Sequence, residues 1–315
     1  MDVSQHGSEV DELSDDALTD RVRVLQRRRG HRYSFDDVVT AYVALRAARA
    51  PREASAPVRS YLDLGCGLGS VLLMVADRLP AVRALGLEAQ NVSFELARQN
   101  VARNGLGDRV QVVHGDLRDP ASLERLRALA HGMLPGSSGT PQFELITGTP
   151  PYKPVGTATP SPDSQRAHAR MELRGGVEDY LAAAASLLSA TGRCVVCMES
   201  DAEARVHDGA RRAGLQVRAV LPVIPMAGRK GRLFSVFTLE HAAGMRGSGT
   251  GTGTGTRDSN LIEAPLVLRD ASGARTEAAR GLRRTFGLES APDELASPTL
   301  RVRGQSPIAP EHEVS

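Results

Sequence analysis

The stretch Asp63-Leu-Gly65-Cys-Gly67-Leu-Gly69 decides how this chain folds. It closes an apolar run over residues 58–64 and opens a helical pattern over 70–78. Three glycines at alternate positions permit positive φ and let a ligand lie against bare backbone. A strand that ends in such a turn and reopens as a helix begins a βαβ unit. The pattern continues outward from there. Apolar runs at 83–88, 110–114, 143–147, 193–198, 215–221 and 233–239 alternate with helical spacing at 92–104, 122–130, 177–189 and 201–213. Such alternation predicts right-handed crossovers and a largely parallel sheet. Residues 222–232 carry no helical pattern, so the last two runs read as a hairpin. The expected fold is α/β, with a seven-stranded, mostly parallel sheet, one antiparallel strand and helices on both faces.

Around this block the chain is uneven. Residues 1–20 hold seven Asp or Glu and no Lys or Arg, and read as a disordered acidic arm. Residues 21–57 form a leading segment with a helix near 36–50, whose first part, 21–32, holds six Arg and no acid. Of these, Arg27, Arg28, Arg29 and Arg32 are candidate phosphate contacts, the alternative being a solvated helix end. The catalytic block spans 58–241, a Gly/Thr-rich linker 242–260, a short strand and helix 261–287, and a disordered tail 288–315.

Three cysteines are too few for a disulfide framework, and the acidic N-terminus is no secretory or transit signal. No apolar run reaches the roughly 18–20 residues a membrane span needs. The expectation is a cytoplasmic protein without a membrane partner. Cys194 and Cys197 share one β-run at an offset of three, which sends the thiols to opposite faces and marks core, not a metal pair. Cys66 reads as a small side chain packed under the glycine turn. The histidines show no ligand spacing, so no metal is expected; His31 and His168 border the expected substrate cleft and read as surface residues, the alternative being contact with the substrate.

Acids recur at successive strand ends, where open α/β sheets bind ligands. Asp63 precedes the glycine loop, Glu88 ends the second run, and Asp116-Leu117 follows the third. Dinucleotide sites read G-x-G-x-x-G and seat a pyrophosphate, whereas this loop reads G-x-G-x-G behind a carboxylate. S-adenosylmethionine has no phosphate and carries a cationic end, which suits Asp63. Glu88 suits the ribose hydroxyls and Asp116 the adenine amine. Gly65, Gly67, Gly69 and Leu117 complete the expected cofactor set, with Asp63 and Glu88 as loop-facing acids.

The fourth run ends in Thr149-Pro150-Pro151-Tyr152. A residue before proline is pushed toward extended geometry, so this loop is stiff and its acceptors point outward at the sheet edge. Acceptors that bind the N–H groups of a conjugated amine restore its lone pair and aim it, while the tyrosine offers a stacking face. The loop resembles the Asn-Pro-Pro-Tyr signature of amino methyltransferases acting on adenine, cytosine or glutamine nitrogen, with Thr149 in place of Asn. Gln26-Arg-Arg-Arg-Gly30-His-Arg32-Tyr33-Ser34-Phe35-Asp36 and Ala169-Arg170-Met-Glu172 are similar to segments of the bacterial tRNA-valine adenine-N6-methyltransferase family. Gly228-Arg-Lys-Gly231-Arg232 and Pro265-Leu-Val-Leu are similar to Gram-positive-type members, and the likeness runs from about residue 25 to 285. The resemblance implies a Rossmann-like class I methyltransferase fold, S-adenosylmethionine as cofactor, and RNA, foremost tRNA, as partner. It places Thr149, Pro150, Pro151 and Tyr152 at the substrate. A glutamine-N5 protein methyltransferase and a lapsed, cofactor-binding RNA-associated protein are the alternatives.

Overall fold

The structure, a computed structural model, describes residues 12–50, 57–133, 142–229, 231–242 and 261–289. In chain order they form β1 (Leu13–Ala17), β2 (Arg23–Arg27), α1 (Phe35–Arg49), β3 (Ser60–Leu64), α2 (Ser70–Arg78), β4 (Arg83–Glu88), α3 (Asn91–Arg103) and β5 (Val110–His114). Then follow α4 (Pro120–Met133), β6 (Phe143–Gly148), α5 (Ser164–Arg170), α6 (Val177–Leu187), β7 (Leu188–Glu199), α7 (Glu203–Arg212) and β8 (Leu215–Met226). The last elements are β9 (Phe234–His241), β10 (Leu261–Ile262), β11 (Leu266–Arg269) and α8 (Glu277–Thr285).

The main sheet runs β5-β4-β3-β6-β7-β9-β8, with β9 antiparallel to both neighbours. The seven expected strands are all there. Two short strands, β10 and β11, pair in parallel with β8 and widen the sheet to nine. Every residue of β3 is buried, which requires helices on both faces of the sheet. The strand order reverses between β3 and β6, which lie side by side with Leu64 opposite Gly148. At that switch point two loops leave the carboxyl ends of adjacent strands and a crevice opens between them. One is the glycine loop and the other the Thr-Pro-Pro loop.

Three sequence expectations change. Residues 13–17 are not part of a disordered arm: they pair antiparallel with β2, and residues 1–11 lie outside the described residues. No apolar alternation marks this hairpin because polar groups hold it. Asn100 of α3 accepts from Leu25 N at 2.7 Å and donates to Leu25 O at 3.0 Å, while Asn104 does the same for Arg23 at 2.9 and 2.7 Å. Two amides one helical turn apart thus stand in for a missing strand along the edge of β2. Second, the arginines at 27–32 lie on this hairpin and the bend after it, not on a helix end. Third, β7 begins at Leu188 and not at 193, and a register shift between Phe143 and Leu145 absorbs three extra residues of the stretch that reads as helix end and loop. The Gly/Thr-rich linker beyond 242 and the tail from 290 lie outside the described residues.

Candidate active site

The glycine loop is wound as its sequence requires. Gly65, Gly67 and Gly69 have φ of 60°, 57° and 88°, left-handed values that L side chains adopt only with strain. A Cβ on Gly67 would meet nothing within 4 Å, whereas one on Gly65 would stand 2.1 Å from the Tyr180 hydroxyl oxygen. Gly67 faces open space and Gly65 is roofed by a ring. Cys66 packs beneath the turn, its Sγ 2.7 Å from where a Cβ on Gly86 would lie.

A cleft opens above the loop. It brings together Gly65, Gly67, Glu88, Asp116, Leu117, Thr149 and Pro151, drawn from the ends of β3, β4, β5 and β6. That assembles most of the expected set. Asp63, Gly69, Pro150 and Tyr152 do not line it. Gly69 instead caps α2, and Pro150 is buried behind its neighbours.

The acids are not loop-facing in the way their positions in the sequence suggest. Asp63 is 2% exposed, and its Oδ1 accepts from Thr147 Oγ1 at 2.6 Å. The pairing follows from register: Asp63 and Thr147 are opposite each other on β3 and β6. Tyr61 shares the same Thr147 hydroxyl at 2.7 Å. Among the described residues Asp63 Oδ2 is buried without a hydrogen-bond partner. Burial pushes the Asp63 carboxyl up to about 8, against the Thr147 hydrogen bond and helped by the charges of Asp37 and Glu88. Glu88, also buried, accepts from Gly67 N at 2.8 Å and Gln90 N at 2.7 Å, so it braces the loop as well as lining the cleft. Burial raises its carboxyl too, with those backbone donors opposing. Asp116 is clasped by Arg118 at 2.8 and 3.0 Å, and that contact lowers its carboxyl.

Tyr152 departs furthest from expectation. It is 2% exposed, so its ring offers no stacking face. Its hydroxyl donates to Asp36 Oδ2 at 2.8 Å and lies 2.8 Å from Cys197 Sγ. It pins the Thr-Pro-Pro loop to the first turn of α1. Behind it, Lys153 pairs with Glu199 at 2.7 Å.

The arginine cluster is largely spent inside the chain. Arg27 pairs with Asp163, Arg28 with Glu12 and Arg32 with Asp16, each at 3.0 or 3.1 Å, and Arg29 stands exposed. Their positive charge holds the hairpin and α5. Arg28→Gln is accordingly expected to lower the melting temperature little, the lost exposed pair being worth about 0–1 kcal/mol. A larger loss in a thermal melt would give this pair a structural weight that exposed pairs lack.

The cleft also gathers Asp37, Gln90, Ser93 and Arg174, which the sequence reading passed over, and His31 and His168, which it set at the cleft border. Asp37 had a visible signal, since paired acids follow a helix-capping Ser34. Tyr180, which roofs Gly65, had none.

These features fit S-adenosylmethionine. Gly67 leaves a cradle that any Cβ would fill, and Asp37 and Glu88 line the cleft beside it and favour a cation, with the buried Asp63 at the end of the strand that leads into the loop. Among the described residues no group of His, Cys, Asp and Glu is arranged to hold a metal, and no helix is long and apolar enough to cross a membrane.

Residues 62–128 match the family of methyltransferase domains. Fold and site together define the class, a Rossmann-like methyltransferase domain whose cofactor is S-adenosylmethionine. A solved structure from Agrobacterium tumefaciens, described as a predicted O-methyltransferase, aligns over 80% of this chain and 97% of its own with a TM-score of 0.53 and 18% identity, a likeness of fold alone. The tRNA1(Val) (adenine(37)-N6)-methyltransferase of Porphyromonas gingivalis is 34% identical over 140 residues, 44% of this chain and 49% of that protein. The protein of the same name from Bacteroides fragilis is 30% identical over 184 residues, 58% of this chain and 69% of its own length. The chain belongs to this family, and it spans about half the length of the P. gingivalis relative.

Proposed function

We propose that the chain transfers a methyl group from S-adenosylmethionine to the N6 amine of an adenine in RNA, with tRNA as the substrate. The observation that carries the reading is the adjacency of β3 and β6, which sets Thr149 and Pro151 on the same cleft as Gly65 and Gly67. When bound, the cofactor supplies an electrophilic methyl carbon. The protein's task is to aim the amine. Prolines have no N–H, so Pro151, which lines the cleft, presents a carbonyl acceptor without a competing donor, while the buried Pro150 stiffens the loop. With the Thr149 hydroxyl that carbonyl suits the two N–H groups of an aryl amine, whose lone pair is otherwise spread into its ring. The work is positioning and electrostatics, and the amine's proton leaves to solvent. Tyr152 serves by holding the loop.

Thr149→Val keeps the shape and removes the hydroxyl. Turnover with labelled cofactor and tRNA is expected to fall about tenfold or more, the equivalent of one transition-state hydrogen bond of roughly 1.4 kcal/mol. Thr149→Asn is expected to retain or raise turnover. Nucleoside mass spectrometry reads the product. N6-methyladenosine supports the reading, labelled protein in place of RNA points to glutamine-N5 transfer, and activity only in Thr149→Asn marks a lapsed enzyme. Equal turnover in Thr149→Val and wild type removes the role given to Thr149.

A further inference from the structure

Three segments remote in sequence meet above the Glu88 side of the cleft: the arm after β2, the first turn of α3, and α5. One side chain joins them all. Gln165 is 2% exposed. Its Oε1 accepts from Arg27 Nη1 and from the His31 backbone N, both at 3.1 Å, and its Nε2 donates to Ser93 Oγ at 3.1 Å. Its own carbonyl accepts from Gln90 Nε2 at 3.4 Å. Next to it, Arg166 Nη2 donates to the carbonyls of Arg29 and Gly30 at 2.6 and 3.2 Å. His31, Gln90, Ser93 and His168 line the cleft beneath these bonds. The arm lies hard against the amide, since a Cβ on Gly30 would stand 2.2 Å from Gln165 Oε1 and 2.8 Å from Arg27 Cβ. Apolar packing contributes little here, because α5 buries only Gln165 and Ala167. Elements held by a few polar contacts open at low cost as a unit.

We propose that Gln165 is a positioning residue for the cofactor, its amide latching the arm and α5 into a lid that closes the cleft and opens for cofactor exchange. The inference rests on the cofactor reading above. An amide uses its donor and acceptor ends at once, so alanine breaks the latch while Gln165→Glu keeps the acceptor for Arg27 and His31.

The test is dissociation of S-adenosylmethionine from the full chain by stopped flow, without RNA, alongside Tm with and without cofactor. Gln165→Ala and Gly30→Ala are each expected to raise the dissociation rate about tenfold or more and to shrink the cofactor-induced rise in Tm. Gln165→Glu is expected to stay near wild type. Hydrogen exchange is expected to quicken together over 27–31 and 164–170 in both disruptive variants. Dissociation at the wild-type rate in both overturns the latch, as does a loss of Tm equal with and without cofactor, which marks a merely structural role. A wild type that binds no cofactor overturns the cofactor reading and the lid with it, whereas normal wild-type binding with unaffected variants overturns the lid alone.

Discussion

Gly65→Ala is expected to lower affinity for S-adenosylmethionine by about a hundredfold or more and to destabilise the chain by roughly 2–5 kcal/mol. Two costs combine. A left-handed φ of 60° costs an alanine about 1–2 kcal/mol. The new Cβ would also lie 2.1 Å from the Tyr180 hydroxyl oxygen and 2.9 Å from Cζ, an overpacking worth about 1–3 kcal/mol. Tyr180 has little room to give, because its ring also fills the space of a Cβ on Gly148, 2.7 Å away. The loop must therefore shift, and Glu88, bonded to Gly67 N, shifts with it. Gly67→Ala is the informative contrast. Its φ of 57° is as strained, yet its Cβ meets nothing within 4 Å, so it is expected to cost less stability and to block the cleft directly. Thermal melts and calorimetry on the two variants separate the effects. A Gly65→Ala chain that melts and binds like wild type removes the packing argument.

Cofactor affinity is expected to rise with pH up to about 8 and to level off above it, with Asp63 as the titrating group. A free aspartate ionises near 4, and burial holds this carboxyl protonated up to about 8. Across that window the folded, cofactor-free chain keeps a proton that the unfolded chain has lost. The stability of the cofactor-free chain therefore falls as pH rises from about 4 to 8, by up to about 1.4 kcal/mol per pH unit. A cation bound in the cleft does not touch the buried Asp63, yet its charge favours the ionised form through space and displaces the proton. Affinity then gains up to about tenfold per pH unit below 8. Asp63→Asn cannot ionise, so it is expected to remove this rise and to bind more weakly than wild type at about pH 8. Isothermal titration at several pH values reads the difference between the two chains. Parallel pH profiles for wild type and Asp63→Asn would place the cation elsewhere.

The seven expected strands all appear in the sheet, because hydrophobic periodicity reports directly on which positions are buried. The cofactor loop was legible for a related reason. Only glycine tolerates the left-handed turns at 65, 67 and 69, and acids at strand ends stand out against apolar runs. Other features left no such trace. The β1–β2 hairpin is held by Asn100, Asn104 and ion pairs, and hydropathy is blind to side-chain amides that replace a strand. Arginines 27, 28 and 32 look like an RNA-facing cluster in one dimension, and their carboxylate partners at 163, 12 and 16 become visible only once the chain is folded.

The sequence by itself determined the class of fold, the order of the seven main strands and the two loops that carry chemistry, since each depends on local periodicity or on what one residue type permits. Tertiary structure decided what each side chain does there. Asp63 is buried because β3 pairs with β6 in the register that sets it opposite Thr147. Tyr152 holds its loop and offers no stacking face because α1 brings Asp36 to its hydroxyl. Gln165 bridges three segments whose distances along the chain no local pattern records. Burial and partnership belong to contacts between distant residues, and a carboxylate or amide carries no mark in the sequence of which neighbour it will meet.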